Sequence, residues 1–268
     1  MVTEQDVKAE PKTLDDLWAM NKTVADRLDE LIYLQKVALL GPDRIFKFLH
    51  NDELVQIGVP FADRDFIQRN IVRTGTYYEL RQLEALRASN TIAPNSIIYD
   101  VGANIGNHSL YFAKTFRPKK MISIEPQKQA LNLLLHNFQL NDLDTQGVVN
   151  CMLGSSEGMG DVKNYYPTNL GGTAFKESAD GVVPMRTLDA VIAAESGGKV
   201  DFVKIDVEGM HVEVLAGAKK MLTEARPSIW IELRLFKGEY APAAEILAGF
   251  GYRQTIKLGV HDYVFAPE

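Results

Sequence analysis

The sequence predicts an α/β protein in which a mostly parallel sheet is covered by helices on both faces. Three observations carry that expectation. Beyond Pro94, short apolar runs alternate with helical patterns, the texture of a sheet buried on both sides. The strand-like run 97–101 passes through a glycine-bearing loop straight into a helical pattern. The last two strand-like runs, 252–256 and 263–265, are close enough to close the sheet as a hairpin.

Taken in order, residues 13–40 form the first element. Leu14, Leu17, Asn21, Val24, Leu28, Leu31, Gln35 and Ala38 are spaced 3, 4, 3, 4, 3, 4, 3, which is helical. Thr13 with Asp16 three residues on reads as a capping box, and Gly41-Pro42 ends the helix. The spacing suits a coiled-coil seam joining copies of the chain, with Asn21 setting register. It equally suits one amphipathic helix laid on its own domain, and Ile32 and Leu34 show that the apolar face is broad. Residues 1–41 are thus an N-terminal helical extension. Residues 42–93 read as a cap region with a hairpin around 46–59 and helices from Asp63 and over 78–86. Residues 94–268 form the core, with strands at 97–101, 121–124, 145–152, 200–207 and 228–233 before the closing hairpin. Helices are expected at 106–115, 127–140 and 210–222.

Composition narrows the function classes. The 268 residues carry 29 Lys and Arg against 35 Asp and Glu, a net charge of −6, which argues against a broad electrostatic grip on nucleic acid. No uninterrupted apolar run reaches the ~18–20 residues of a membrane span. The acidic start, Met1 to Asp6, lacks the basic and apolar regions of a signal peptide, and Cys151 is the only cysteine. A cytoplasmic protein without an internal disulfide is expected.

The loop after the 97–101 strand runs Asp100-Val101-Gly102-Ala103-Asn104-Ile105-Gly106-Asn107-His108. Glycines there let the backbone approach a ligand, and the following helix start offers free N–H groups. The dinucleotide fingerprint is displaced, because Asn104 and Asn107 hold its second and third glycine places, and no phosphate-cradling P-loop sequence occurs. Glu125, at the end of the second core strand, is placed to accept the two hydroxyls of a ribose. Asp100 either caps local backbone donors or helps bind a cationic ligand. His108 is an ordinary first-turn residue or a contact to the ligand, and Tyr78 and Glu79 either pack the start of a helix or close over the ligand.

Lys204, Asp206 and Glu208 are spaced by two, so they share one face while the strand lasts. Ionisable groups ending an apolar strand are costly unless paired or functional. They are therefore the catalytic candidates, with His211 as an alternative base. The plainer reading is a Lys204–Asp206 ion pair that stiffens the loop. Asp206 and Glu208 with Glu232 would also make an oxygen-rich set for Mg²⁺ or Ca²⁺. The five histidines are scattered, and no metal is expected. The polar, glycine-rich run 164–173 is either an acceptor-binding loop or a connection between two added strands. Asn169, Gly171 and Glu232 are the candidate acceptor contacts.

Asp100 to Gly106, then Ile124-Glu125-Pro126, then Lys204-Ile205-Asp206-Val207-Glu208-Gly209 together resemble the FkbM family of S-adenosylmethionine-dependent methyltransferases. Supporting marks are Tyr78-Glu79, Asn169-Leu170-Gly171-Gly172-Thr173, Arg186-Thr187-Leu188-Asp189 and Val214-Leu215-Ala216-Gly217-Ala218, so the resemblance covers residues 74–233. It implies a Rossmann-like class I methyltransferase fold with a mostly parallel seven-stranded sheet. It also implies S-adenosylmethionine as cofactor, with its methionyl part at Gly102 to Gly106 and its ribose on Glu125. The adenine is expected near Met152-Leu153-Gly154-Ser155. Glu79, Asp100, Asn104 and Asp206 complete the expected cofactor set. Ser155 stands where an acid is usual and His211 where Glu is usual. The implied reaction is O-methylation of a hydroxyl on a glycan, glycolipid or small metabolite. Alternatives are an N-methyltransferase, a nucleotide-dependent oxidoreductase or epimerase, and a non-catalytic assembly protein working through its N-terminal helix. Displaced glycines and the lack of a Tyr-x-x-x-Lys pair oppose the oxidoreductase.

Overall fold

The computed structural model describes residues 13–268, so the reading of the first six residues lies outside it. Helix α1 (Leu14–Leu39) begins where its capping box predicts: the Thr13 side chain accepts from Asp16 N at 3.1 Å and Asp16 accepts from Thr13 N at 3.0 Å. Strands β1 (Ile45–His50) and β2 (Glu53–Gly58) form the predicted antiparallel hairpin. Helices α2 (Phe66–Thr74) and α3 (Leu80–Ala88) lead into the core.

The central sheet contains β3 (Ile97–Val101), β4 (Lys120–Ile124), β5 (Val148–Val149), β10 (Phe202–Ile205), β11 (Ser228–Glu232), β12 (Tyr252–Lys257) and β13 (Asp262–Pro267). Its order is β12-β13-β11-β10-β3-β4-β5, and only β13 runs against the others. Alternate residues face opposite layers. Ile98, Phe202, Trp230 and Val264 pack beneath the hairpin, α2, α3, α4 (Asn107–Phe116) and α5 (Lys128–Leu140). Tyr99, Val203, Ile229 and Phe265 pack against α6 (Leu188–Ser196), α7 (His211–Ala216) and α8 (Tyr240–Gly249). Burial on both faces explains why these strands read as continuous apolar runs.

Two predicted elements are broken. The 145–152 run is not one strand: β5 stops at Val149, and β6 (Met152–Leu153) joins a second, four-stranded sheet with β7 (Gly158–Asn164), β8 (Ala174–Glu177) and β9 (Val183–Arg186), in the order β6-β9-β7-β8. Asn150 turns the chain, its amide donating to Glu125 O at 2.8 Å and Pro126 O at 3.2 Å. The 210–222 helix ends at Ala216, and the next residue, Gly217, lies against Gly154 O so closely that a Cβ there would fall 2.1 Å away. Asp189 then caps a new helical turn, accepting from Lys220 N at 2.8 Å and Met221 N at 2.9 Å. The polar run 164–173 connects β7 to β8, the connection weighed above.

Candidate active site

Sheet order reverses between β3 and β10, where ligands bind in such folds. In register, Lys204 faces Asp100 across those strands, and both loops leave the same edge. The β3 loop is pressed against the β10 loop: Gly102 has φ 78°, and a Cβ on it would fall 1.9 Å from Asp206 O. Asp206 N donates to Val101 O at 2.9 Å, tying the two ends together.

Two adjoining clefts open at this edge. The first, about 570 Å³, is walled mainly by apolar groups, including Pro126, Met152, Leu153, Phe175 and Met210. Its main polar anchor is Glu125. One carboxylate oxygen accepts from Asn104 N at 2.7 Å and the other from Gln127 N at 2.8 Å. Each oxygen keeps a lone pair for a further donor. Burial pushes the carboxyl up to about 7, against the pull of those two N–H groups.

The second cleft is polar and is lined by Tyr78, Glu79, Asn107, His108, Asp206 and Glu232, among others. Gly102, Asn104, Gly171, Asp206 and Glu208 border both clefts. Buried Lys204 donates to Asp206 at 2.9 Å and lies 4.0 Å from Asp100 Oδ1. Burial alone disfavours its charge, but Asp206 and Asp100 outweigh it and raise the pKa. The Asp206 carboxyl is likewise desolvated, yet the Lys204 ammonium and a hydrogen bond with Glu232 hold it well below the usual range. Burial and the neighbouring Asp206 charge push Glu232 up to about 9, so Glu232 keeps its proton at neutral pH. The two carboxyls therefore titrate as a pair beside a fixed cation.

The remaining predicted residues fall in different places. Glu208 borders the site but is clamped by Arg234, with one contact at 2.7 Å, and by Lys237 at 3.3 Å. β10 ends at Ile205, so of the three residues expected to share its face only Lys204 is on the strand, and Asp206 and Glu208 lie beyond it. Arg234 also reaches Glu232 at 3.0 Å. Asp100 is buried and accepts from Ser109 at 2.6 Å. Gly106 caps α4 outside both clefts. Ser155 is exposed and lines neither cleft, whereas Met152 and Leu153 do line the first. His211 is buried at the start of α7 and borders neither cleft; burial lowers its pKa. Asn169 and Gly171 are brought to the site by the β7–β8 connection. Asp65 holds that connection through Leu170 N at 2.8 Å.

His108 belongs to the site more closely than its first-turn position suggested. Its Nε2 lies 3.2 Å from Glu79, and its ring meets Trp230 edge to face. Glu79 is brought there by a left-handed turn at φ 59°, and Asn107 braces Tyr78 through its backbone N and O at 2.9 and 3.0 Å.

The residues fit an S-adenosylmethionine molecule. The wall formed by Cys151, Met152 and Leu153 is apolar, as an adenine requires, and Glu125 lines the same cleft. Asn104 borders both clefts, and its Oδ1 is buried without a hydrogen-bond partner, an acceptor suited to an ammonium group.

Residues 100–254 match the family model described as Methyltransferase FkbM domain. Sequence relatives include Methyltransferase sdnD of Sordaria araneosa, 26% identical over 220 residues, covering 69% of this chain and 81% of that one. Hexuronic acid methyltransferase AglP of Haloferax volcanii is 28% identical over 131 residues, covering 48% of this chain and 52% of that one. Among solved structures, Methyltransferase FkbM from Methylobacillus flagellatus KT is similar with a TM-score of 0.51 at 16% identity, over 73% of this chain. That likeness is one of fold, and this chain spans about half of that protein's length (51%).

Proposed function

From the premise that the chain belongs to the FkbM methyltransferase family and uses S-adenosylmethionine, we propose that it methylates a hydroxyl oxygen of a glycan, glycolipid or small metabolite. The observation that carries this reading is the Asp206–Glu232 carboxyl pair on Lys204, on the polar side of the Gly102–Asn104 rim. A hydroxyl nucleophile gains from a base that takes its proton as attack proceeds, worth about 10²–10⁴-fold. Asp206 is that acceptor, ionised and held in place by Lys204. Glu125 holds the ribose, Asn104 the methionyl end, and Met152 and Leu153 the adenine. The donor supplies an electrophilic methyl group on a cationic sulfur. The positive charge lost with the methyl group is matched by the negative charge Asp206 loses on protonation, so the cleft's net charge is conserved. AglP, which acts on a hexuronic acid, is a relative compatible with a sugar acceptor.

Asp206→Asn tests the reading, with radiolabelled methyl transfer measured on a panel of hydroxyl and amine acceptors. We expect kcat to fall about 10²–10⁴-fold, with affinity for S-adenosylhomocysteine changed only a few-fold. Wild-type turnover in the variant removes Asp206 as base, and label recovered on nitrogen overturns the oxygen assignment.

A further inference from the structure

We propose that two copies of this chain join through a parallel coiled coil of their α1 helices. The helix lies outside the segment matched by the family model, and its body-facing side accounts for only part of its surface. That side is fixed by Tyr33, which is buried and donates to Ala62 O, by Glu30, which accepts from Arg69 and Arg73 at 2.6–2.7 Å, and by Lys36, which donates to Arg73 O at 2.9 Å. Arg69 also lies over the Tyr33 ring, 4.5 Å from its centroid.

At about 100° per residue, the seam of Leu14, Leu17, Val24, Leu28 and Leu31 points away from Tyr33 and Glu30. It faces solvent: Leu14 is 85% exposed, Leu28 53% and Leu31 62%. Ten large apolar side chains of α1 are exposed. Together they offer on the order of 1,000 Å², against the ~800 Å² each partner contributes to a standard interface. Patches of that size are rarely left open on a monomer.

The pattern selects a second copy as the occupant. The strict 3, 4 alternation averages 3.5 residues, the repeat that keeps a seam facing a supercoiled partner, whereas a straight surface helix follows 3.6. If Leu14 is an a position, Asn21 is the next a. A parallel pair brings the two Asn21 amides together, while an antiparallel pair sets each against an apolar d layer. Arg27 is the only charged residue flanking the seam, and in a parallel pair it meets Ile32, so no like charges face each other. The helix carries five acidic and three basic residues, which opposes an anionic bilayer as the partner.

The test uses the full chain. Sedimentation should give a mass twice that of the chain, and Leu28→Glu with Leu31→Glu should weaken the pair at least ~100-fold while methyl transfer persists, since each chain loses two buried leucines. Asn21→Cys should cross-link copies under mild oxidation, because Cys151, the one native cysteine, is buried. A monomer at tens of micromolar, a dimer unmoved by the double substitution, or a monomer that instead binds anionic vesicles each overturns the proposal. Failure of Asn21→Cys to cross-link overturns the parallel arrangement.

Discussion

Glu125 reads as a ribose contact because it ends the second core strand in a chain that also carries the glycine loop, and the structure sets it in the wall of the first cleft. Its two backbone donors are Asn104 N in the β3 loop and Gln127 N in its own turn, so it ties the two loops together at the cleft. Glu125→Ala should weaken S-adenosylhomocysteine at least ~10-fold, about 1.4 kcal/mol, measured by calorimetry on protein with unchanged circular dichroism; unaltered affinity removes the ribose assignment. Glu232 makes a pH prediction. Burial and the Asp206 charge push its carboxyl up to about 9 in the folded chain, from an ordinary 4.5. The folded chain therefore retains a proton that the unfolded chain has released, and stability falls as pH rises from about 4.5 to 9. Glu232→Gln removes that titration, so its stability relative to wild type should rise between pH 5 and pH 8 in urea denaturation. A difference that is constant with pH would show that folding does not raise the Glu232 carboxyl. Glu208 was not readable in this way. Its partner Arg234 lies 26 positions away, after another strand, and nothing local separates a clamped carboxylate from a reactive one. The same holds for Glu79 and His108, joined only when the turn at Glu79 brings α3 over α4.

At the scale of elements, periodicity found what was apolar on a regular face. α1, the hairpin and the buried strands all meet that condition. The four-stranded sheet does not: β7 exposes all but one of its residues and contains two glycines, so no alternation marks it. Helix 210–222 misled for a related reason, since its apolar spacing continues past Ala216, where the helix ends and Gly217 packs its backbone against Gly154. Amide side chains tie the hairpin down, another feature that periodicity does not show. A two-stranded hairpin is marginal alone. Here Asn137 accepts from Gly58 N and donates to Ile105 O, both at 2.7 Å, and Asn141 accepts from Gln56 N at 3.1 Å and donates to Gln56 O at 2.6 Å. α5 thus substitutes for a third strand along β2. Asn137→Ala leaves two backbone groups without partners and should cost about 2–4 kcal/mol. Asn141→Ala, nearer the surface, should cost less. Equal and small losses in both variants, measured by denaturant midpoint, would mean that apolar packing alone holds the hairpin.

The whole molecule explains why two loops about a hundred positions apart make one site. Sheet order makes β3 and β10 neighbours and sets Asp100 opposite Lys204, so both acidic turns leave one edge. The sequence pattern contained the alternation that demands such a sheet, while the strand order was implied by the family resemblance rather than by spacing. A ligand held between the two loops must stabilise the pairing of β3 with β10, and through it both apolar layers. Saturation at 100 times Kd adds about 2.7 kcal/mol. For a chain of this size, at about 2–4 °C per kcal/mol, this raises Tm by roughly 5–10 °C. S-adenosylhomocysteine should produce that shift in the full chain, and Glu125→Ala should lose about half of it at the same ligand concentration, as a tenfold weaker site requires. A full shift in Glu125→Ala would remove Glu125 from the ligand's contacts, and no shift in the wild type would mean that the ligand does not bind the folded chain at that concentration.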